Sequence, residues 1–298
     1  MPMSTLINHA HDSFEVAGDS DVGRVRNENQ DHYIVGDLRR QLVIRDTDVE
    51  GEIEDEMFGC QQGSLLVVAD GMGGHEAGER ASRIAVQATA RYVLDMMRWF
   101  LKLSPTAEDD FIDELSESLV SVQKELWSAG PEGHSMGTTV TMAYLLWPKI
   151  YVVHAGDSRC YQLRDGVLRQ LTTDHTVAQQ LLDSGGLNES DPSLQHWRHV
   201  LWNCVGGSRK QVSPEAIRAD LRVGDQILLC SDGLTGMLDD RTIRSVLEEA
   251  GSPEVKVRQL IDLANEAGGT DNITAVICRV VGEGPTDSAG AGLDTTIF

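Results

Sequence analysis

Residues 64–82, SLLVVADGMGGHEAGERAS, decide how the chain is read. Leu65, Leu66, Val67, Val68 and Ala69 form an unbroken apolar run, the pattern of a buried strand. Asp70 ends the run. Gly71-Met72-Gly73-Gly74 follows, too rich in glycine for regular structure, and from about Ala77 helical spacing takes over. A carboxylate at the end of a buried strand, facing a loop of exposed backbone carbonyls, suits a hard cation that takes oxygen ligands. A single such Asp usually just caps a turn, so the reading depends on the construction recurring.

It recurs in both directions. The apolar run Ile150 to Ala155 ends in Gly156-Asp157-Ser158-Arg159, and Gln226 to Cys230 ends in Ser231-Asp232-Gly233. Two further aspartates precede strands: Asp31 before Tyr33-Ile34-Val35, and Asp271 before the run Ile273 to Val281. No His or Cys stands beside these five aspartates at ligand spacing. An oxygen-only donor set selects Mg2+ or Mn2+ over zinc or copper. Carboxylates crowded together repel one another, which points to more than one metal ion. Paired divalent ions are suited to phosphoryl transfer to water, a reaction that also wants an arginine fork on the phosphate oxygens. Arg26, five residues before Asp31, can supply it.

Around these strands the chain alternates between helical and irregular segments. Ala81, Ile84, Ala85, Ala88, Tyr92 and Met96 predict a helix from about 77 to 100, broken by Ser104-Pro105. Phe111, Leu115, Leu119, Val122 and Leu126 predict a second helix, antiparallel to the first and packed with it on a sheet. Met136 to Leu146 reads as a β-branched strand turned by Trp147-Pro148-Lys149. Residues 161–168 read as a hairpin around Asp165-Gly166. A short helix is expected over Val177 to Leu182, and two more from Asp240 to Glu249 and from Ser252-Pro253 to Glu266. The acidic stretch within 36–63 reads as a solvated insertion between core strands. Residues 187–222, holding His196, Trp197, Arg198, His199 and Trp202, are the least periodic and read either as an irregular lobe whose aromatics pack locally or as a mobile flap near the site. The tail from Gly282, small and polar, is expected to be disordered.

Composition narrows the partners. Forty-seven acidic against 25 basic residues give a net charge of −22, which argues against nucleic acid and against a nuclease reading of the same metal set. Hydrophobic content of 41% supplies a globular core, yet no apolar run approaches a membrane helix. The N-terminus has no signal-peptide pattern, so a cytoplasmic location is the expectation. The five cysteines form no CxxC pair and read as buried reduced thiols, none in a setting for nucleophilic catalysis.

Seven segments then carry a resemblance: VGRVRNENQD, VVADGMGGHEAGERAS, MGTT, HAGDSRCY, LTTDHT, LLCSDGLTG and GGTDNIT. In this order and with these separations they resemble bacterial PPM (PP2C-type) serine/threonine protein phosphatases, from about Gly18 to Val281. The resemblance implies an α+β fold, a four-layer α-β-β-α sandwich of two antiparallel sheets flanked by helices. It divides the chain into an N-terminal extension (1–17), a phosphatase domain (18–282, with the insertion at 36–63 and a flap at 176–224) and a tail (283–298).

By the same resemblance, Asp70 looks like the carboxylate bridging two core metals and Gly71 like a backbone carbonyl ligand. Asp232 and Asp271 resemble ligands of the first metal, and Asp31 of the second. Asp157 resembles the carboxylate of a more weakly held third metal, shared with Asp232, and Arg26 the phosphate-binding arginine. The family's reaction is hydrolysis of phosphoserine and phosphothreonine by direct attack of a metal-bridging water, with no phosphoenzyme. Phosphorylated proteins are the implied partners, with a Ser/Thr kinase among them. No general acid is named, and His75 and His175 read as structural hydrogen-bonding residues. QHWRHVLWNCVGG departs from the family's usual flap, which is closer to HPxRNVLTRALG. A pseudophosphatase acting as a sensor or scaffold is the alternative. It is disfavoured because all five aspartates and Arg26 are present.

Overall fold

A computed structural model of the chain describes residues 13–43, 56–73, 75–96, 105–129, 136–207 and 211–282. The strands are β1 (Phe14–Asp21), β2 (Asp31–Val43), β3 (Glu56–Met72), β4 (Gly137–Thr138), β5 (Val140–Leu146), β6 (Lys149–Ala155), β7 (Arg159–Arg164), β8 (Val167–Gln170), β9 (Val205–Gly206), β10 (Glu215–Asp220), β11 (Gln226–Cys230) and β12 (Ile273–Val280). The helices are α1 (His75–Met96), α2 (Pro105–Ala129), α3 (Val177–Asp183), α4 (Asp232–Thr235), α5 (Asp240–Glu248) and α6 (Pro253–Glu266).

Two antiparallel sheets result. One runs β1-β12-β11-β7-β8; the other runs β10-β6-β5-β3-β4-β9, with β2 also paired to β3. Their central strands are apolar at nearly every position because both faces are covered, and the period of two assigns each residue to a layer. In β3, Leu66 and Val68 face the opposite sheet, meeting Ile227 and Leu229 of β11 and Val276 and Cys278 of β12. Leu65, Val67 and Ala69 face the other way, onto α1 and α2 with Phe111, Leu115 and Leu119. On the far side Leu228, Cys230, Ile273 and Ala275 pack under α5 and α6 against Ile243, Leu247 and Leu260. The order of layers is therefore helix, sheet, sheet, helix, as the resemblance implied.

Several expectations need correction. The N-terminal extension ends earlier than residue 17, since Phe14–Asp21 pairs along its whole length with β12. The insertion read as a loop over 36–63 is strand in its described parts: Asp37 faces Ser64 and Val43 faces Glu56 in the β2–β3 ladder. Residues 44–55, most of the acidic run, lie outside the described residues, as does the tail from 283. The strand over 136–146 is two pieces, and β4 turns aside at Thr139 to pair with β3 and β9. The flap assigned to 176–224 is shorter, because Glu215–Asp220 is an edge strand on β6. Its EAIRAD alternation, half-buried and exposed in turn, carries charge where a core strand carries only apolar side chains.

Candidate metal centre

The strand ends meet at one cleft of about 590 Å3, lined by Arg26, Asp70, Gly71, Asp157, Asp232 and Asp271. Asp31 lies behind the lining, 5% exposed. The hairpin register makes Asp31 and Asp70 direct cross-strand partners, an arrangement that sets two carboxylates against each other. Burial, with added repulsion from neighbouring carboxylates, holds Asp31, Asp70 and Asp157 above the ordinary carboxylate range.

A polar frame fixes each strand end. Asp31 Oδ2 accepts from Ser231 Oγ at 2.7 Å and from Thr274 Oγ1 at 2.8 Å, which joins β2 to the other sheet. Asp70 is held through its backbone: its N–H donates to Thr139 Oγ1 (3.0 Å), and its carbonyl accepts from Thr139 N–H and Thr138 Oγ1 (both 2.8 Å). Thr139 Oγ1 in turn meets Ser158 Oγ at 2.7 Å, one residue from Asp157. Asn272 Nδ2 donates to the carbonyls of Val22 and Glu28, and Asn272 Oδ1 accepts from Gln30 N–H, so it pins the loop that carries Arg26. Gly71 is required by crowding, since a Cβ there would lie 2.2 Å from the carbonyl oxygen of Gly78 in α1.

The structure thus gathers all seven residues singled out in the sequence, with one new pairing among them and one further residue. Arg26 Nη2 donates to Asp271 Oδ2 at 2.7 Å, so the arginine is paired with one of the carboxylates. His199, from the flap, lines the cleft and puts Nδ1 3.8 Å from Asp232 Oδ2. The hydroxyl and amide frame (Thr138, Thr139, Ser231, Asn272, Thr274) was missed as such. Its signal was present in part, since Ser231 and Asn272 stand next to Asp232 and Asp271, and Thr138, Thr139 and Thr274 lie in the MGTT and GGTDNIT segments.

Two buried oxygens decide whether this donor set fits cations. Asp31 Oδ1 and Asp232 Oδ1 are buried with no hydrogen-bond partner, a costly condition that a coordinated cation relieves. A tighter cluster exists elsewhere: ligand atoms of His154, His175 and Glu215 all lie within 4.8 Å of one another. Its chemistry is poorer. His175 Nδ1 already accepts from Gly156 N–H (3.2 Å) and from Asn203 Nδ2 (2.9 Å), which leaves the ring proton on Nε2, 3.8 Å from Glu215 Oε2. A neutral metal-binding imidazole needs the opposite, a bare nitrogen toward the metal and an N–H toward its support. The looser carboxylate set is the better candidate for Mg2+ or Mn2+.

Comparison with known proteins agrees in class. The profile of the protein phosphatase 2C family matches residues 53–263, and the chain belongs to that family. It is 38% identical over 235 residues to the serine/threonine protein phosphatase PstP of Mycobacterium tuberculosis, covering 78% of this chain and 43% of that protein. The chain therefore spans less than half of that relative's length. To the serine/threonine phosphatase stp of Listeria monocytogenes it is 33% identical over 216 residues, covering 72% and 83%. The catalytic domain of PstP in complex with two manganese ions superposes with a TM-score of 0.66 at 31% identity, over 90% of this chain and 99% of that one. Among the described residues no helix is long and apolar enough to cross a membrane.

Proposed function

We propose that this chain is a metal-dependent phosphatase of phosphoserine and phosphothreonine in proteins, opposing Ser/Thr kinases. Asp31, Asp70, the Gly71 carbonyl, Asp232 and Asp271 would hold two divalent ions, Mn2+ or Mg2+, and Asp157 with Asp232 a third, weaker one. Such ions, when bound, lower the pKa of water and offset charge on a transferring phosphoryl group. The orphaned buried oxygens of Asp31 and Asp232 carry this reading, supported by a family relative solved with two manganese ions.

The chain's own residues do the rest. Asp31 and Asp70, fixed by Ser231, Thr274, Thr138 and Thr139, bring negative charge to one point without side-chain reorganisation. Arg26, about half exposed, can swing from Asp271 to a phosphate and grip two of its oxygens. The cleft opens to solvent beside exposed Trp197 and Val200 on the flap, a surface that a peptide can cover. Release of phosphate from a phosphothreonine peptide, with Mn2+, with Mg2+ and with EDTA, tests the proposal beside Asp232→Asn. Metal-dependent release that the variant lacks supports it. Silence of the folded protein in every metal returns the scaffold reading.

A further inference from the structure

Asp157 stands in a turn that only glycine can open. Gly156 has φ of +128°, and a Cβ there would fall 2.5 Å from Thr139 Cβ. What holds this turn comes from another segment. His175 N–H donates to the Gly156 carbonyl at 2.7 Å, and Gly156 N–H donates to His175 Nδ1 at 3.2 Å. Nδ1 also accepts from Asn203 Nδ2 at 2.9 Å. Asn203 has no freedom to flip, because its Oδ1 accepts from Ser213 N–H (3.0 Å) while Nδ2 donates to the Ser213 carbonyl (2.6 Å). The imidazole is therefore fixed as an acceptor at Nδ1.

The same residue carries the flap. The His175 carbonyl accepts from Trp202 N–H at 3.0 Å, and the two rings pack at a tilt of 52° with centroids 4.9 Å apart. Thr176 bridges Leu201, and Val177 N–H donates to the Val200 carbonyl at 2.8 Å. Leu201 and His199, on that strip of flap, line the same cleft as Asp157. His175 thus holds the turn beside Asp157 through its backbone N–H and Nδ1, and the root of the flap through its carbonyl, its ring and the Asn203 amide on Nδ1.

We infer that His175, oriented by Asn203, is a positioning residue that fixes Asp157 for divalent-cation binding and sets the flap against it. This rests on the reading of Asp157 as a ligand of the weaker ion. The test is Mn2+ binding to the intact chain, followed by calorimetry and by the Mn2+ spin-resonance signal without substrate. It is paired with the rate of trypsin cleavage after the exposed Arg198. Asp157→Asn should abolish the weakest class of Mn2+ site. His175→Ala should weaken that class roughly tenfold while leaving the tighter class within about threefold, the scale expected for a residue supporting a ligand. It should also speed cleavage at Arg198.

His175→Asn, whose Oδ1 can replace Nδ1 as acceptor, should restore both. If His175→Ala fails to fold, Asn203→Asp serves instead. It sets an acceptor against the bare Nδ1 and should reproduce the same losses. Unchanged weak-class binding in His175→Ala or Asn203→Asp, with Asp157→Asn defective, overturns the inference and leaves the ligand reading standing. An Asn variant as defective as Ala also overturns it, since side-chain volume rather than the acceptor would then matter. Full Mn2+ binding by Asp157→Asn removes the ligand reading and the inference with it.

Discussion

Two buried polar clusters lie on neighbouring strand ends of this molecule, and they are built on opposite principles. Around His154, His175 and Asn203 donors meet acceptors: Thr141 Oγ1 lies 2.8 Å from His154 Nδ1, and Arg159 forks onto Asp174 at 2.7 and 2.8 Å. Around Asp31, Asp70, Asp157 and Asp232, carboxylate faces carboxylate and buried oxygens go without partners. A satisfied cluster rigidifies a fold; an unsatisfied one has its missing partners elsewhere. Ligand spacing alone would have picked the first cluster as the metal site. Hydrogen-bond bookkeeping picks the second.

The same chemical change should therefore act in opposite directions in the two regions. Asp70→Asn removes one of two facing carboxylates. We expect it to raise the melting temperature of the metal-free chain while cutting phosphopeptide turnover by more than the roughly 10–100-fold typical of a residue that only supports a ligand. Asp174→Asn, by contrast, removes the charge onto which the Arg159 guanidinium forks and leaves it Tyr161 Oη as its other partner. Its expected cost is about 3 kcal/mol of stability in a denaturant titration. Equal effects of both substitutions on melting would break the contrast.

Next in size is Ser231→Ala, which takes one of the two hydroxyl donors from Asp31 Oδ2. Mn2+ affinity measured by calorimetry should fall roughly tenfold with the fold retained.

pH sharpens the contrast, because the signs differ. Asp31, Asp70 and Asp157 have raised pKa values in the metal-free fold, which therefore binds more protons than the unfolded chain above pH 4. Their contribution to stability falls as pH rises above about 4, through about 7 for Asp31 and about 8 for Asp157, with Asp70 also held well above its ordinary range. Saturating Mn2+ should flatten that slope. Burial instead pushes His154 down to about 3. Below its ordinary 6.5 the unfolded chain takes the proton and the fold does not, so this contribution is present above pH 6.5 and lost as pH falls toward 3. Melting curves across pH, with and without Mn2+, read both slopes.

The smallest effect belongs to Arg26→Ala. The side chain is half exposed and salt-bridged to Asp271. Its loss should raise KM for a phosphopeptide with little change in kcat, and should tighten Mn2+ binding by no more than a few-fold, since an exposed pair is worth about 1 kcal/mol or less.

How much of this was legible depended on what each residue answers to. The strand-then-Asp constructions at 70, 157 and 232 were readable because an apolar run covered on both faces has no other explanation. Helices α1, α2, α5 and α6 were readable from their stripes. Strand β1 (FEVAGDSD) and strand β10 (EAIRAD) were not, because edge strands answer to solvent on one side and carry charge accordingly. The pairing of Asp31 with Asp70 was also hidden. It follows from the register of a long hairpin whose length the acidic run obscured. His199 reaches Asp232 only through the path of the flap, which no periodicity encodes.

The central claim is that the unsatisfied carboxylates are a two-ion site, and crystals soaked in Mn2+ test it most directly. We expect two strong anomalous peaks in the cleft among Asp31, Asp70, Asp232 and Asp271, with any weaker third peak beside Asp157. An empty cleft at saturating Mn2+, or a peak at His154, His175 and Glu215 instead, would contradict it.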